Sequence, residues 1–238
     1  MLRIVFPEGF TRKQMARRIA AVNLIARRKR HVRTRLVPSL YLRATARSRS
    51  PRNFRGVAKT RSLEGFLFPA LYDFTPRTTT SELIDAQLDA FRANWRKVDL
   101  RYARSKNLTP YDVLIIASMI EEEVRAPSER RLVAAVVYNR LRAGMPLGID
   151  ATIRYGLDVP PTESLRRDQL DDPTPYNTRV HVGLPPTPIT NPGLASMQAA
   201  AHPARVGYLY FVRKPDKVHH FFTASERAFV NYQRAHGY

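Results

Sequence analysis

The sequence has no cysteine, no long apolar run, and almost no acid in its first quarter. Without cysteine, the chain of 238 residues forms no disulfide and no cysteine-ligated metal site, although its redox compartment stays undetermined. The longest apolar run, residues 113–120, is far shorter than the ~20 residues that cross a bilayer, and the residues after Met1 do not resemble a signal-peptide core. We therefore expect a soluble chain, whose 44% hydrophobic content suffices for one large or two modest domains.

The scarcity of acid at the start of the chain makes the charge distribution uneven. Residues 1–61 carry 18 Lys/Arg against the single acid Glu8, whereas residues 62–238 carry 22 against 19, so most of the net charge of +20 lies in the first quarter. An Arg-rich segment of this kind binds polyanions such as anionic lipid headgroups, nucleic acid or acidic cell-wall polymers, or it is simply a solvated surface. Because no nucleic-acid-binding motif accompanies it, we expect no nucleic acid partner and keep an anionic membrane surface as a candidate partner of residues 1–61.

Local patterns predict an α+β fold. A short strand around Ile4 ends in a Pro/Gly turn, and Thr11 is placed to cap a helix that runs through Met15 and Ile19. Residues 31–61 show no sustained period, which predicts a linker or a poorly packed excursion.

Helices dominate the middle of the chain, and turns dominate its later part. Thr80 and Ser81 are predicted to cap a helix that reaches Trp95, Pro110 to open a second helix, and Ser128 to open a third one that stops at Gly144. The following Pro-rich loops are typical of the rigid walls of a substrate groove, although any single loop is better explained as a connection between elements. A helix at 194–201, a hairpin of strands 208–213 and 219–223, and a helix from Ser225 complete the prediction.

Three consecutive glutamates, Glu121 to Glu123, end the most apolar helix of the chain. Glu121 continues the stripe of Val113, Ala117 and Ile120 at helical spacing, so its carboxyl group is predicted to lie where a hydrophobic side chain is expected. Poor solvation raises the pKa of a carboxyl group, which is what a general acid needs near neutral pH. The alternative is that the three glutamates form a solvated helix end, and periodicity alone does not decide between the two.

Several blocks together resemble one family, the MltG/YceG-like endolytic murein transglycosylases. They include Phe6-Pro-Glu-Gly-Phe10, Leu63-Glu-Gly-Phe-Leu-Phe-Pro69, Ala117-Ser-Met-Ile-Glu-Glu-Glu123, Ser128-Glu-Arg130, Tyr138-Asn-Arg-Leu141, Asp150-Ala-Thr152, Pro175-Tyr-Asn-Thr178, Gly183-Leu-Pro-Pro186, Asn191-Pro-Gly193 and Tyr208-Leu-Tyr-Phe-Val212. Their order and spacing over residues 63–223 make the joint match specific. The sequence departs from the family pattern at Glu122, where Lys is common, at Ala151, where Pro is usual, and at Ala70, where Asp often stands.

The resemblance implies a domain organisation and a reaction. Residues 1–61 are expected to form a partial LysM-like subdomain with a basic linker, and residues 62–238 the catalytic transglycosylase domain, with a membrane anchor further upstream and a location at the extracytoplasmic face of the bacterial cell membrane. The implied enzyme is a lyase that cleaves the MurNAc–GlcNAc bond of peptidoglycan without water, leaves 1,6-anhydro ends and terminates glycan strands. Cell-wall synthesis proteins are candidate partners.

The resemblance also assigns Glu121 as the expected catalytic acid and base. Glu64 is the next candidate, either as a substrate-binding residue that forms hydrogen bonds in the groove or as a second carboxylate, with a turn residue before Gly65 as the competing explanation. Asp150, Tyr176 and Asn177 are expected to bind substrate sugars or to orient Glu121, with turn capping as the competing explanation. Asn139 and Arg140 are expected to tie their helix to neighbouring loops, and Glu123 to be a solvated or ion-paired helix residue. We predict no cofactor, and no metal site, because His219 and His220 lack a third ligand at metal spacing.

Two other functions fit the residues. In the first, the chain is a noncatalytic module whose basic segment binds anionic polymer or nucleic acid, but the acidic and apolar loops of residues 62–238 do not favour this. In the second, the chain is a conventional glycoside hydrolase, which would release reducing ends instead of anhydro ends.

Overall fold

A computed structural model describes residues 1–54, 57, 58 and 61–238 of the chain. It begins with strand β1 (Leu2–Val5), a Pro/Gly turn and helix α1 (Arg12–Arg30). The Thr11 hydroxyl accepts a hydrogen bond from the Gln14 backbone N–H, and the Gln14 side chain accepts one from the Thr11 N–H, which forms a capping box. The predicted cap and helix are therefore confirmed.

Part of the segment that was expected to be a linker is helical and well packed. Helix α2 (Pro38–Ala46) starts with Pro at its first position, and a 3₁₀ turn follows at Arg52–Phe54. The Tyr41 side chain is fully buried and its hydroxyl donates to Gln87 Oε1 over 2.8 Å. The hydrophobic period of the α2 sequence is weak because only two of its residues, Tyr41 and Thr45, are buried. Tyr41 is buried against a partner far along the chain, Gln87.

The next elements place a small sheet beside a group of helices. Strand β2 (Leu71–Phe74) pairs antiparallel with β1, so that Leu2 lies opposite Phe74. Helix α3 (Thr80–Trp95) is capped by Thr79 through a capping box with Glu82, one residue before the predicted Thr80. A short helix α4 (Arg101–Arg104) leads to α5 (Pro110–Glu123), which Thr109 caps and Pro110 opens as predicted.

Helix α5 forms the centre of the molecule. Its residues 113–120 are all buried, and it packs against α9 (Leu194–Ala201), α6 (Arg130–Arg142) and α7 (Asp150–Leu157). Helix α7 and the short α8 (Arg167–Leu170) lie in a region that was expected to consist of turns and loops. Asp158, in the left-handed region at φ 56°, ends α7 after only eight residues, which is too short for a clear helical period.

The chain ends with a hairpin and a helix, as predicted. Strands β3 (Tyr210–Arg213) and β4 (His220–Thr223) pair antiparallel, and α10 (Glu226–Ala235) follows with Ser225 as its cap. Small sheets beside a helical core confirm the α+β class.

One hydrophobic cluster contains residues from both sides of the expected domain boundary at residue 61. It contains Ile4, Phe6 and Met15 from the N-terminal unit together with Leu114 and Ile116 of α5. The LysM-like character of residues 1–61 and the division at residue 61 stay predictions. In the described part of the chain, no helix has the length and apolarity needed to span a membrane.

Candidate active site

The three glutamates at the end of α5 point in three directions. Glu121 is buried, with 8% of its surface exposed, and its Oε2 accepts the Gly193 backbone N–H over 2.9 Å. Gly193 is the N-cap residue of α9, so the Glu121 carboxyl group accepts the N–H that the side chain of the third helical residue accepts in a capping box. The burial of Glu121 that its stripe predicted is confirmed.

Glu122 and Glu123 have different surroundings. Burial raises the pKa of Glu122 to about 7, while Arg125 opposes this shift and the charges of Glu123 and Glu121 add to it. Burial also raises the pKa of Glu123, which Arg213 opposes. Glu123 therefore lies near a cation and is not a freely solvated helix end.

The N-terminal turn packs directly on these glutamates. Gly9 has φ +80°, and a Cβ atom there would lie 3.2 Å from Glu122 Oε1 and 3.7 Å from Glu121 Cγ. The Gly9 N–H donates to the Asn191 carbonyl over 3.1 Å, and the Asn191 N–H donates to the Phe10 carbonyl over 3.1 Å. A glycine at this position thus allows the left-handed turn and its close approach to α5.

Loop residues 187–193 are fixed to the middle of α5 through one serine. The Ser118 hydroxyl accepts the Ile189 N–H over 3.0 Å, and the Ser118 carbonyl accepts the Thr190 hydroxyl over 3.2 Å. These bonds are buried and hold the loop that carries Gly193 at a defined distance from the end of the same helix. The Gly193 N–H is therefore pre-positioned for Glu121.

Glu64 is a buried acceptor at the meeting point of three segments. Its Oε1 accepts the Asn191 side-chain amide over 2.7 Å and the Arg12 N–H over 3.0 Å, and its Oε2 accepts the Tyr155 hydroxyl over 3.2 Å. Arg12 also pairs with it, with Nε 3.7 Å from Oε2. Burial raises the pKa of Glu64 to about 7, and the charge of Arg12 and the donated hydrogen bonds oppose the shift.

A pocket of about 390 Å³ opens beside the glutamates, between the start of α1 and α7. Its volume is in the range of small-molecule sites, and its wall combines carboxyl, aromatic and basic groups. Lining residues that matter for the chemistry are Glu64, Glu122, Tyr155, Tyr176, Arg17 and Arg154. Of the three consecutive glutamates, Glu122 forms part of this wall, and the Glu121 carboxyl group lies on the Gly193 side of the helix end.

Of the other expected site residues, Tyr176 lines this pocket, whereas Asp150 and Asn177 do not. The Tyr176 hydroxyl lies 2.9 Å from Thr187 Oγ1. Asp150 is the first residue of α7 and pairs with Arg179, Oδ1 to Nη2 over 2.7 Å. Asn177 is fully buried and donates to the Leu170 and Asp172 carbonyls, which is the turn-capping arrangement.

Two expectations outside the pocket are confirmed by hydrogen bonds. Asn139 donates to the carbonyls of Val206 and Tyr208, and Arg140 donates to the carbonyls of Pro146, Leu147 and Leu209. Both residues therefore tie α6 to neighbouring loops.

Three site features were not predicted from the sequence. The Glu8 carboxyl group lies against Gly193, so closely that a Cβ atom there would overlap it. Asn191 connects the N-terminal turn, Glu64 and the Leu67 N–H, which donates to Asn191 Oδ1 over 2.9 Å. His220, buried on β4, lies 2.7 Å from Glu129 Oε2 through its Nδ1. Motifs that contain these residues were visible, but their partners are far apart in the sequence.

No group of three or more His, Cys, Asp or Glu side chains able to hold a metal ion occurs among the residues that the structure describes.

Comparison with known proteins places the chain in a family. The model of the YceG-like family matches residues 1–235, so the chain belongs to that family. A YceG-like protein from Listeria monocytogenes, solved by crystallography, has a TM-score of 0.76 and 28% identity and covers 98% of this chain and 76% of its own.

Two curated relatives are named endolytic murein transglycosylase. The protein from Bacillus subtilis is 38% identical over 153 residues, which is 64% of this chain and 42% of that protein. The protein from Streptococcus pneumoniae is 38% identical over 157 residues, which is 63% of this chain and 28% of that protein. The matched region therefore spans less than half the length of these relatives.

Proposed function

We propose that the protein is an endolytic lytic transglycosylase of peptidoglycan, with Glu121 as the catalytic acid and base. The observation that carries the proposal is the position of its carboxyl group, which is buried at the end of an apolar helix and accepts a backbone N–H beside a pocket of suitable size. Membership of the YceG-like family and the names of the curated relatives support the same reaction.

The proposed reaction uses one carboxyl group twice. Protonated Glu121 gives its proton to the glycosidic oxygen between MurNAc and GlcNAc while positive charge develops on the muramic ring. The resulting carboxylate then takes the proton of the muramic 6-hydroxyl, whose oxygen bonds to the anomeric carbon and closes a 1,6-anhydro ring. No water is consumed, and Glu121 returns to its protonated form. The buried Gly193 N–H stabilises the carboxylate between the two steps.

The four expected substrate-binding residues are proposed to form or support the sugar-binding wall. Tyr176 lines the pocket and is the one most directly placed for stacking against a sugar ring. Glu64 also lines this wall, but its carboxyl oxygens already accept hydrogen bonds from Arg12, Tyr155 and Asn191. Asp150 and Asn177 fix the loops behind it.

The biological setting is part of the proposal. Cleavage within a strand would terminate glycan chains during cell-wall biogenesis, at the extracytoplasmic face of the bacterial cell membrane and beside cell-wall synthesis proteins. The basic residues 1–61 would hold the protein at an anionic membrane surface.

The test is Glu121→Gln with purified peptidoglycan glycan strands. Gln cannot donate or accept the proton, so we expect the rate of anhydro-ended product formation to fall by about 10²- to 10⁴-fold. Mass spectrometry separates anhydro ends from reducing ends, which are heavier by one water. Glu163→Gln, at an exposed position, is the matched control. Wild-type activity in Glu121→Gln would refute the assignment.

The same measurement tests the hydrolase alternative. Glu122 lines the pocket and is a second carboxyl group that could activate water. Reducing ends as the main product of the unmodified protein would favour this function over transglycosylation.

A further inference from the structure

A second pocket, of about 330 Å³, lies between the 3₁₀ turn at Arg52–Phe54 and the end of α3. It shares no lining residue with the pocket beside the glutamates, and the proposed reaction does not use it. One side is formed by residues 49–54, and the other by the last turns of α3 with the C-cap residue Arg96. We call it the arginine pocket, after the four arginines among its lining residues, which are Arg49, Arg52, Arg92 and Arg96.

The inner surface of the arginine pocket is aromatic. Phe54, Phe91 and Trp95 are buried and still line it, and their ring centroids lie 5.0 to 5.7 Å apart. Leu88 adds an aliphatic side chain to the same wall. Apolar walls with a few polar groups at the opening are typical of small-molecule sites, and the volume is in the range of such sites.

The opening of the pocket is strongly cationic. All four arginines are exposed, and among the described residues that line the pocket none is Asp or Glu. Arg92 pairs with Asp89. The other three guanidinium groups form no hydrogen bond or ion pair with any residue that the structure describes. Their donors are therefore available to a ligand.

The end of α3 explains only two of these cations. Arg92 and Arg96 stand at the C-terminal end of the helix, where positive charge is favourable. Arg49 and Arg52 come from a different segment, and they add like charges to an opening that already has two. An anion bound among the four arginines removes this repulsion, and guanidinium groups offer it pairs of N–H donors.

A phosphate group suits this arrangement better than a carboxylate. It carries a charge of about −2 and three acceptor oxygens, so several guanidinium groups can share it, whereas a carboxylate has one charge and two oxygens. We propose that the arginine pocket binds the phosphate group of a phosphate ester or diphosphate, whose apolar part packs on the aromatic wall. The site goes beyond the proposed transglycosylase reaction and does not depend on it.

Two sources can supply such a group, the headgroup of an anionic phospholipid and a soluble phosphate compound. Arg49 and Arg52 belong to the basic residues 1–61, whose charge the proposed reaction does not use. The proposal assigns a defined ligand chemistry to this part of the charge, and the experiments separate the two sources.

The first experiment uses Trp95, the single tryptophan of the chain, as a reporter inside the pocket. The full chain is titrated with pyrophosphate at constant ionic strength, and Trp95 fluorescence and the heat of binding are recorded. We expect saturable binding with a change in emission. Arg52→Gln with Arg96→Gln should raise the Kd by about 10-fold or more, because each substitution removes charge-assisted hydrogen bonds.

The matched control is Arg227→Gln with Arg234→Gln, at two exposed positions of α10. It changes the net charge by the same amount and should leave the Kd of pyrophosphate within about twofold of the wild-type value. Thermal unfolding without ligand shows that each variant is folded, and little change is expected because the substituted side chains are exposed.

The second experiment replaces pyrophosphate by vesicles of phosphatidylglycerol and phosphatidylcholine. If a lipid headgroup occupies the pocket, vesicles change Trp95 emission, pyrophosphate competes with this change, and Arg52→Gln with Arg96→Gln weakens it. If the ligand is a soluble phosphate compound, pyrophosphate changes the emission and vesicles do not. Both results support a phosphate site and differ in its source.

Two results would overturn the site. One is the absence of saturable pyrophosphate binding together with unchanged Trp95 emission in the presence of vesicles. The other is an equal loss of affinity in the two double variants, which would mean that the anion responds only to net charge. Neither experiment measures glycan-strand cleavage, so failure of this site is distinct from failure of the proposed function.

Discussion

At the scale of single residues, burial could be predicted from the sequence but partners could not. The stripe through α5 predicts that Glu121 is buried, but the helix is apolar all round, so only the structure decides between this prediction and a solvated helix end. Glu64 carries no such signal. Its partners Arg12, Tyr155 and Asn191 lie 52, 91 and 127 residues away along the chain, so only the folded structure reveals that it is a shared acceptor.

We predict that Glu64→Ala lowers the free energy of unfolding by about 3–5 kcal/mol. The substitution leaves the Arg12 N–H, the Tyr155 hydroxyl and the Asn191 amide without their acceptor, and it leaves the Arg12 side chain, only 16% exposed, without its carboxylate. Urea unfolding measures the change. Tyr155→Phe removes one of these donors and should cost about 1 kcal/mol. A Glu64→Ala loss no greater than that of Glu163→Ala would contradict the prediction.

At the scale of elements, caps, long amphipathic helices and the apolar α9 were predictable, whereas the short helices α2 and α7 were not. Thr11 accepts a backbone hydrogen bond from the first turn of the helix that it was expected to cap, and Thr109 and Ser225 do the same for the helices that were expected to begin at Pro110 and Ser225. Helices α2 and α7 were missed, because nine and eight residues give too few turns to establish a period unless, as in α9, nearly all of them are apolar. The position of α7 matters most, since it forms one wall of the pocket.

Helix α1 has an outer face that suits an anionic bilayer. Among its 19 residues there are eight Lys/Arg and no acid, and its solvent side exposes Leu24 by 48% and Ile25 by 54% next to Ala20 and Ala21. Arg17 and Arg28 lie on the same side. Apolar side chains framed by cations are typical of helices that lie in a membrane interface, whereas a nucleic acid surface would need only the cations.

We predict that Leu24→Ser with Ile25→Ser weakens binding to vesicles of phosphatidylglycerol and phosphatidylcholine by about 10-fold or more, since each inserted aliphatic side chain contributes about 1.5–3 kcal/mol. Cosedimentation measures the binding. Val180→Ser with Val182→Ser, at positions that are 49% and 61% exposed, is the matched control outside residues 1–61. If the α1 variant binds vesicles like the wild type while salt still weakens binding, the basic residues act on polyanions in general.

At the scale of the whole molecule, the candidate active site contains segments that the charge distribution separates. Residues 1–61 hold most of the net positive charge, yet their turn at Gly9 packs on Glu121 and Glu122, and the start of α1 lines the pocket. Composition changes along the chain predict a boundary, but they contain no information about which segments share a core. The result is a cluster of poorly solvated carboxyl groups on a strongly basic chain.

Because of this cluster, the free energy of unfolding is expected to fall as the pH rises. Carboxyl groups in ion pairs have the opposite effect, since they stabilise the folded state at higher pH. Burial raises the pKa of Glu122 to about 7, above the ordinary value of 4.5, so the folded state binds this proton more tightly than the unfolded state. The stabilising contribution is complete below about pH 4.5 and is lost as the pH rises through 7.

We predict that Glu122→Gln reduces the fall in unfolding free energy between pH 4.5 and pH 8 by about 2–3 kcal/mol. Urea unfolding at a series of pH values measures this slope, and comparison of variants removes the contribution of net charge. Glu163→Gln should leave the slope as it is in the wild type, and an equal slope in Glu122→Gln would show that Glu122 is well solvated in the folded protein.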